Sequence, residues 1–336
     1  MRGASPKSKN PETPKTIFMD KAQKKSTPAV TVLMPAYNAE ATIEESIKSV
    51  VDQTYTDWNL LIVDDESTDS TPEIYRRWAA RDKRIKAVRV EHIGFTGVLN
   101  YGLNLSESRY IARIDSDDLW HAERLARQVS FLDEHPEVKV IGSWGDQIGT
   151  YGEKIQLLRH GPTSLQEYQQ TKEAREPMIL IHSSILADRR TVLDFGGYTP
   201  DDYPVDDTFL WTKIAADHAV LALPENLVSY RASQNGICSS NFKLLLMQFA
   251  RLEHNLKNKC ELSRREFETL LASDWRKRLN FSVNYWQKFA RRDGVMRFRN
   301  RRKISGGFLI ALGFMLDPSY CFKKVFGHLN LSEPPA

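Results

Sequence analysis

Short apolar segments alternate with amphipathic ones through the first third of this 336-residue chain, and this alternation restricts the folds it can adopt. Four apolar runs have the length and composition of buried strands: 30–34, 59–63, 85–90 and 110–114. The segments between them carry apolar residues at helical spacing, as Ile43, Ile47 and Val50 do. Strands that alternate with helices predict an α/β fold with a central, mostly parallel sheet flanked by helices.

The second half of the chain has a less regular pattern. The sequence predicts, in order, a helix at 123–134, a strand at 138–143, a polar loop-like stretch at 145–177 with a helix near 165–171, a helix at 209–216 and an extended segment at 221–230. A further apolar run, 178–186, contains His182. Long charged helical stretches follow from residue 243.

Charge is distributed unevenly along the chain. The net charge is +5 over residues 1–27, −12 over 28–239 and +11 over 240–336. The first 28 residues lack an apolar core and predict a disordered basic leader. The acidic body suits divalent cations and does not suit nucleic acid, whereas the basic ends suit an anionic surface. The alternative for the C-terminal run is a solvated face of a helical extension.

The C-terminal region also indicates contact with a membrane surface. Its apolar run 308–316 has about half of the ~20 residues that span a bilayer. Basic clusters at 291–303 precede this run, so we expect peripheral contact through 291–316. The alternative is a helix packed on the main domain. Three widely spaced cysteines without metal or disulfide spacing favour a cytoplasmic protein, here at the inner face of the membrane.

Three of the predicted strands end in polar residues. These are the pairs 37–38 and 64–65 and the Asp-Ser-Asp-Asp run 115–118. The carboxyl ends of parallel strands share one edge of the sheet, where ligands bind in such folds. One ligand could therefore contact all three clusters.

The run 115–118 is the sharpest local signal for a metal. Its carboxylates, Asp115, Asp117 and Asp118, repel one another unless a cation neutralises them. Such oxygen ligands suit Mg²⁺ or Mn²⁺, commonly together with substrate phosphates. The alternative is a group of acidic residues at the start of a helix.

The earlier polar pairs suit a nucleobase. Asp65 could accept a hydrogen bond from a base N–H while Tyr37 stacks on the ring. The alternatives are an ordinary turn aspartate and a half-buried aromatic residue.

A third acidic pair, Asp206-Asp207, precedes the predicted helix 209–216. The pair indicates either a helix cap or a general base whose pKa is raised by the like charge beside it. His182, within an apolar run, reads either as a core histidine or as a catalytic one. The segment after the first strand, PAYNAEAT, has no GxGxxG, and the chain has no GxxxxGK[ST]. Dinucleotide-dependent enzymes and P-loop phosphotransferases are therefore disfavoured.

Six motifs in order along 29–235 resemble the family 2 glycosyltransferases. They are VTVLMPAYN through VDDESTDST, LNYGLNLSESRYIARIDSDDLW, HSSILADRR, GGY, VDDTFLW and LVSYR. The resemblance implies a glycosyltransferase-A fold, Rossmann-like, with a nucleotide-binding half at 29–120 and an acceptor half at 121–239. The charged helical pattern beyond them predicts a basic helical extension at 240–336. It implies transfer of a sugar, with inversion, from a nucleotide-diphosphate donor. UDP-sugar is the expected donor, and a saccharide or lipid-linked molecule is the expected acceptor.

The resemblance also implies roles for individual residues. Those at the nucleobase are Pro35, Tyr37 and Asp65, those at ribose and metal are Asp115, Asp117 and Asp118, and those in the acceptor half are His182, Asp206, Asp207 and Arg231. Asp207 corresponds to the acceptor base, and Arg231 belongs to the segment expected at the pyrophosphate. The sequence departs from the family pattern at Asp206, where Glu is usual, at Ser233, where many members have His, and at Gly94, where some have Arg.

Three functions are weighed on this basis. The first is a metal-dependent, inverting glycosyltransferase of surface polysaccharide or glycoconjugate biosynthesis. The second is a catalytically inactive nucleotide-sugar or polysaccharide-binding module of the same fold. The third is a nucleotidyltransferase, which would normally carry a Gly-rich basic loop after its first strand, and the chain lacks one there.

Overall fold

A computed structural model describes residues 27–232 and 237–273 of the chain. Within them nine strands form one sheet: β1 Val30–Ala36, β2 Trp58–Asp64, β3 Ile85–Arg89, β4 Tyr110–Arg113, β5 Leu119–Trp120, β6 Val138–Ile148, β7 Lys154–Leu158, β8 Leu186–Asp188 and β9 Ala219–Arg231. The helices are α1 Ile43–Val51, α2 Thr71–Arg81, α3 Phe95–Leu105, α4 Arg124–Glu134, α5 Leu165–Glu173, α6 Arg189–Asp194, α7 Asp206–Ile214, α8 Ile237–Ser240, α9 Phe242–Asn258 and α10 Arg264–Ser273. The order across the sheet is β3-β2-β1-β4-β8-β6-β9-β5, with β7 paired to β6.

The first four predicted strands are confirmed, and they are mutually parallel as expected. All seven residues of β1 are buried, which fits a strand with neighbours on both sides and helices over both faces. Pro35 lies inside β1, although the sequence predicted that this strand ends at residue 34. The sheet accepts proline there because β4 ends at Arg113, so that Pro35 is paired only with Val63 of β2.

The second half of the sheet is mixed. β8 runs antiparallel to β4 and β6, whereas β6 and β9 are parallel. The prediction of a loop at 145–177 was wrong in its first part, because β6 continues to Ile148 and pairs with β7 as a hairpin. This hairpin is half-exposed, so it carries the polar residues that resemble a loop. The apolar run 178–186 is not one strand, since a 3₁₀ turn over His182–Ser184 interrupts it.

The C-terminal part contributes two packed helices. Residues 240–273 of the predicted extension contain α9 and α10, which pack against each other and bury Leu252 and Phe267. No helix among those described is both long enough and apolar enough to cross a bilayer. The predicted leader up to residue 26 and the predicted membrane-contact segment 291–316 lie outside the described residues.

Candidate active site

The three carboxylates of the run 115–118 lie together just beyond the end of β4. One ligand oxygen from each of Asp115, Asp117 and Asp118 lies within 4.8 Å of the others. The sharp turn that collects them is closed by a hydrogen bond from the Asp118 amide to the Asp115 carbonyl at 3.2 Å. The sequence prediction of one acidic cluster is therefore realised as a compact group of oxygen atoms.

Asp118 is the innermost of the three and is completely buried. Its Oδ1 accepts a hydrogen bond from the Arg231 amide at 2.7 Å, and its Oδ2 has no hydrogen-bond partner among the described residues. Burial, together with the neighbouring carboxylates, raises the pKa of Asp118 well above its usual range and that of Asp117 to about 7. An unpartnered buried oxygen within a repelling carboxylate cluster fits a bound divalent cation.

Arg113, the last residue of β4, supplies the positive charge nearest to this cluster. Its side chain is 2% exposed; it pairs with Asp115 and donates to Ser183 Oγ at 3.2 Å. Ser183 Oγ also lies 3.1 Å from Asp115 Oδ2 and accepts from the Asp115 amide at 3.0 Å. The Arg113 guanidinium carbon lies 5.2 Å from the centroid of the Phe95 ring. The carboxylate that leads the acidic run is thus held by a buried ion pair.

At the end of β2, Asp65 is buried and its carboxylate is held by the segment before α3. Its two oxygens accept from the amides of Ile93 at 2.8 Å and Gly94 at 3.1 Å, and His92 Nδ1 lies 3.0 Å from Oδ2. Gly94 has a φ of 77°, a conformation that glycine adopts readily and that turns its amide toward the carboxylate. Asp65 therefore retains only part of its accepting capacity for a ligand.

Tyr37 forms the exposed wall beside Asp65. Its side chain is 52% exposed, and its ring centroid lies 5.0 Å from that of His92. Pro35, expected beside it, is buried within β1. Two rings next to a buried carboxylate provide a surface on which a planar base can stack.

The pair Asp206-Asp207 forms the first turn of α7, which begins three residues before the predicted helix. Asp206 is buried and accepts a hydrogen bond from Thr96 Oγ1 at 3.2 Å. Burial and the adjacent Asp207 raise the pKa of Asp206 to about 7. Partial burial raises the pKa of Asp207 to about 6, opposed by its hydrogen bond from the Thr208 amide at 2.7 Å and by Arg113. Both carboxylates thus have a pKa in the range suited to a general base near neutral pH.

His182 lies on the 3₁₀ turn between the two acidic groups. Its Nε2 is 3.0 Å from the Tyr198 hydroxyl, and the rings of Phe95, Tyr198 and Trp211 surround it at 5.5–6.4 Å between centroids. Burial and the nearby Arg113 charge lower the pKa of His182 well below its usual value. The imidazole is therefore neutral at physiological pH, and it fits a positioning role better than that of a charged acid.

Arg231 ends β9 directly behind the acidic run. Its Nε donates to the Asp117 carbonyl at 2.8 Å, Nη1 to the Thr150 carbonyl at 2.9 Å and Nη2 to Glu45 at 2.9 Å. The sequence predicted this side chain at the donor pyrophosphate. In the structure its N–H groups donate to these protein acceptors instead, so Arg231 holds the acidic run in position.

Several residues of this site were not predicted from the sequence. Arg113, Ser183 and Tyr198 fall within the quoted motifs and Thr96 lies three residues before one of them, and none of the four was singled out. The one available signal was Arg113, a charged residue inside a run of strand-forming residues. A buried strand tolerates such a charge only when a partner is near.

The segment 93–96 at the start of α3 contacts every part of this arrangement. Amides of 93 and 94 hold Asp65, the Phe95 ring lies beside Arg113, and Thr96 donates to Asp206. The wall formed by Tyr37, His92 and Asp65, the acidic run and the α7 carboxylates are therefore three sides of one site.

Comparison with known proteins agrees with this geometry. The family model described as Glycosyl transferase family 2 matches residues 31–194. The Escherichia coli protein WfgD, a UDP-Glc:alpha-D-GlcNAc-diphosphoundecaprenol beta-1,3-glucosyltransferase, is 30% identical over 231 residues, which cover 66% of this chain and 83% of WfgD.

Solved structures share the fold at low sequence identity. TarS of S. aureus (residues 1–349, in complex with UDP-GlcNAc) superposes with a TM-score of 0.55 at 18% identity, covering 87% of this chain and 91% of that one. The mannosyltransferase PcManGT from Pyrobaculum calidifontis, in complex with GDP-Man and Mn²⁺, has a TM-score of 0.52 at 19% identity and covers 92% and 82%. The expected glycosyltransferase-A fold is confirmed. The family model and the likeness to WfgD confirm the expected enzyme class, a glycosyltransferase. The chain belongs to the family 2 glycosyltransferases.

Proposed function

We propose that this glycosyltransferase transfers a sugar from a UDP-sugar to a saccharide or lipid-linked acceptor, with inversion and with a divalent cation, in surface polysaccharide or glycoconjugate biosynthesis. One observation carries the proposal. Two acidic groups, the run 115–118 and the pair 206–207, flank the buried Arg113 within one site. The first suits a metal-bound diphosphate, and the second suits removal of a proton from an acceptor.

Donor binding is assigned to the edge formed by β1 and β2. Tyr37 stacks on the base while Asp65, fixed by the amides of 93 and 94, accepts from a base N–H. Uridine is favoured because WfgD is named for UDP-Glc and the TarS structure holds UDP-GlcNAc. PcManGT holds GDP-Man, so guanosine is the alternative to exclude.

The metal is assigned to Asp117 and Asp118, with Asp115 beside them. The unpartnered Asp118 Oδ2 and the raised pKa of Asp117 are the features that support this assignment. A bound Mg²⁺ or Mn²⁺ there would neutralise charge on the departing diphosphate. Arg113 and Arg231 hold the run in shape from behind, the former through Asp115 and the latter through Asp118.

Asp207 is assigned as the base that takes the proton from the acceptor hydroxyl. Its carboxylate is ionised above a pH of about 6, and its Oδ1 is steadied by the amide and hydroxyl of Thr208. Asp206, bound to Thr96 and with its pKa raised to about 7, lies beside Asp207 in the first turn of α7. A base on the acceptor side, opposite the diphosphate, is consistent with direct displacement and inversion at the sugar carbon.

A lipid-linked acceptor would place the enzyme at a membrane surface. WfgD is named for a diphosphoundecaprenol acceptor. The net charge of +11 over 240–336 would attract the chain to anionic lipid on the inner face of the membrane. We therefore assign peripheral contact to 291–316, a segment known here from its sequence alone.

A nucleotide-sugar panel with detection of the released nucleotide tests the proposal. The expected result is release of UDP that depends on Mn²⁺ or Mg²⁺ and on an acceptor, with a product of inverted anomeric configuration by NMR. Release of pyrophosphate would support a nucleotidyltransferase. Donor binding without turnover across acceptors would support a binding module.

A further inference from the structure

Side chains of the C-terminal helices α9 and α10 bind the segment that leads into Asp206-Asp207. Residues 200–203 form a 3₁₀ turn, Pro200–Asp202, followed by Tyr203, and α7 begins three residues later. The side chains that hold this turn come from α9 and α10, about 50–60 residues further along the chain. The short segment before the carboxylates of Asp206 and Asp207 is thus held in place by side chains from α9 and α10.

Arg251 of α9 makes the strongest of these contacts. Its side chain is 2% exposed, Nη1 donates to Asp201 Oδ2 at 2.6 Å, and Nη2 pairs with Asp202. Its guanidinium carbon also lies 4.5 Å from the centroid of Phe209, within α7 itself. One buried side chain therefore contacts both the turn before the carboxylates and the helix that bears them.

Two further residues hold the backbone of the same turn. Gln248 is completely buried and donates through Nε2 to the carbonyls of Asp201 and, at 3.0 Å, of Tyr203. Arg264, the first residue of α10, donates to the carbonyls of Pro200 at 3.2 Å and Asp201 at 3.0 Å. Hydrogen bonds from these side chains to main-chain carbonyls fix the path of the backbone through the turn.

A purely stabilising role does not account well for these groups. A buried ion pair contributes little net stability compared with apolar packing, because both charges lose their hydration. It does fix geometry, since a guanidinium donates in fixed directions and bridges two carboxylates. Apolar contacts of Leu252 and Phe267 already hold α9 and α10 in place.

We propose that Arg251, supported by Gln248 and Arg264, is a positioning residue for the sugar-transfer step that sets the placement of the Asp207 carboxylate. The proposal rests on the assignment of Asp207 as the acceptor base. The C-terminal helical pair is then part of the catalytic apparatus, although none of its described residues needs to touch a substrate.

Steady-state kinetics on four folded variants test this proposal, with donor and acceptor each varied. Arg251→Met removes the bridge, Arg251→Lys keeps the charge, and Arg264→Ala removes contacts from a side chain that is only partly buried. Arg175→Ala is the matched control, because Arg175 Nη1 binds a main-chain carbonyl of α9, that of Lys257 in its last turn, and makes no described hydrogen bond to the turn 200–203.

The expected result is a fall in kcat of tenfold or more for Arg251→Met and about threefold or more for Arg264→Ala, with donor KM within twofold of wild type. Arg251→Lys should recover part of the loss, and Arg175→Ala should retain wild-type kcat. A kcat for folded Arg251→Met and Arg264→Ala equal to wild type overturns the proposal. A rise in donor KM that matches the fall in kcat/KM also overturns it. If Arg251→Met does not fold, Arg264→Ala alone decides.

Asp207→Asn separates failure of this inference from failure of the proposed function. If Asp207→Asn retains wild-type kcat, the base assignment is wrong, and the positioning role assigned to Arg251 fails with it. If Asp207→Asn loses activity while Arg251→Met and Arg264→Ala do not, only the positioning role is wrong.

Discussion

Arg113 and Asp115 form an ion pair at the end of β4 in which the arginine is buried and the aspartate is 26% exposed. This pair joins the strand to the acidic run, so it connects the sheet to the carboxylate cluster. Within 27–232 and 237–273, the other Arg113 nitrogens, Nε and Nη2, have no hydrogen-bond partner, so Asp115 and Ser183 are the polar groups that anchor the side chain there.

Removal of one partner of this pair should destabilise the fold. Arg113→Met leaves the Asp115 carboxylate without its counter-charge, and we expect a loss of about 3 kcal/mol in the free energy of unfolding, measured by urea denaturation. Arg113→Met combined with Asp115→Asn should recover much of that loss. Equal stability of wild type and the single variant would show that the pair contributes nothing net.

Divalent cations should stabilise the protein through Asp118. Mn²⁺ at about 100 times its Kd should add about 2.7 kcal/mol, seen as a rise in Tm that a chelator reverses. Asp118→Asn should abolish the rise while it leaves the metal-free protein folded, because the neutral side chain suits the buried site. Full enzymatic activity after exhaustive chelation would contradict the metal assignment.

Replacement of the proposed base should lower turnover without loss of donor binding. Asp207→Asn should reduce kcat by about 10²–10⁴, the usual weight of general base catalysis. The control is Asp206→Asn, which keeps a hydrogen-bond acceptor for Thr96 and should reduce kcat less. A larger loss for Asp206→Asn would move the role to Asp206.

Turnover should depend on pH in the direction that a base requires. With a pKa of about 6 in the ligand-free protein, Asp207 is protonated in acid, so kcat/KM should fall about tenfold per pH unit below 6 and level off above it. A profile that is flat from pH 5 to 8 would contradict this assignment.

Stability of the metal-free protein should change with pH in the opposite sense. Burial raises the pKa of Asp206 to about 7 and that of Asp207 to about 6 in the folded protein, whereas an unperturbed aspartate has a pKa of about 3.9, so the unfolded chain binds fewer protons between these pH values. Stability should therefore fall as pH rises from about 4 to 7. Urea denaturation at pH 5 and pH 8 measures this, and the double variant Asp206→Asn, Asp207→Asn should show a smaller difference.

Membrane association should depend on the basic C-terminal region. The full chain should co-sediment with anionic vesicles, bind neutral vesicles weakly and lose binding as salt rises. Truncation before Arg291 should remove the binding. Equal sedimentation of the full and truncated proteins would exclude this segment as the contact.

The parts of the site that follow strand ends were predictable from the sequence. Asp65 and the run 115–118 come directly after apolar strands, and parallel strands bring their carboxyl ends to one edge. Ser183 and Asp115, by contrast, are 68 residues apart and meet because β8 pairs antiparallel with β4. The spacing of apolar residues within one segment does not indicate which distant strands will pair.

The support from the C-terminal helices was equally inaccessible to sequence reasoning. Arg251 lies in a charged helical pattern that reads as a solvated face, yet its side chain is buried against Asp201 and Asp202. Burial of a charge depends on a partner about 50 residues away, which composition does not reveal. The half-exposed hairpin of β6 and β7 was missed because its polar side chains face solvent.

The segment 93–96, which leads into α3, links two parts of the site. Its amides at 93 and 94 hold Asp65 and its Thr96 hydroxyl holds Asp206, so four successive residues contact both the side proposed for the nucleotide and the side proposed for the acceptor. Under the proposed function, a shift of this segment that fits a new nucleotide would also displace Asp206. Donor and acceptor preferences would then change together.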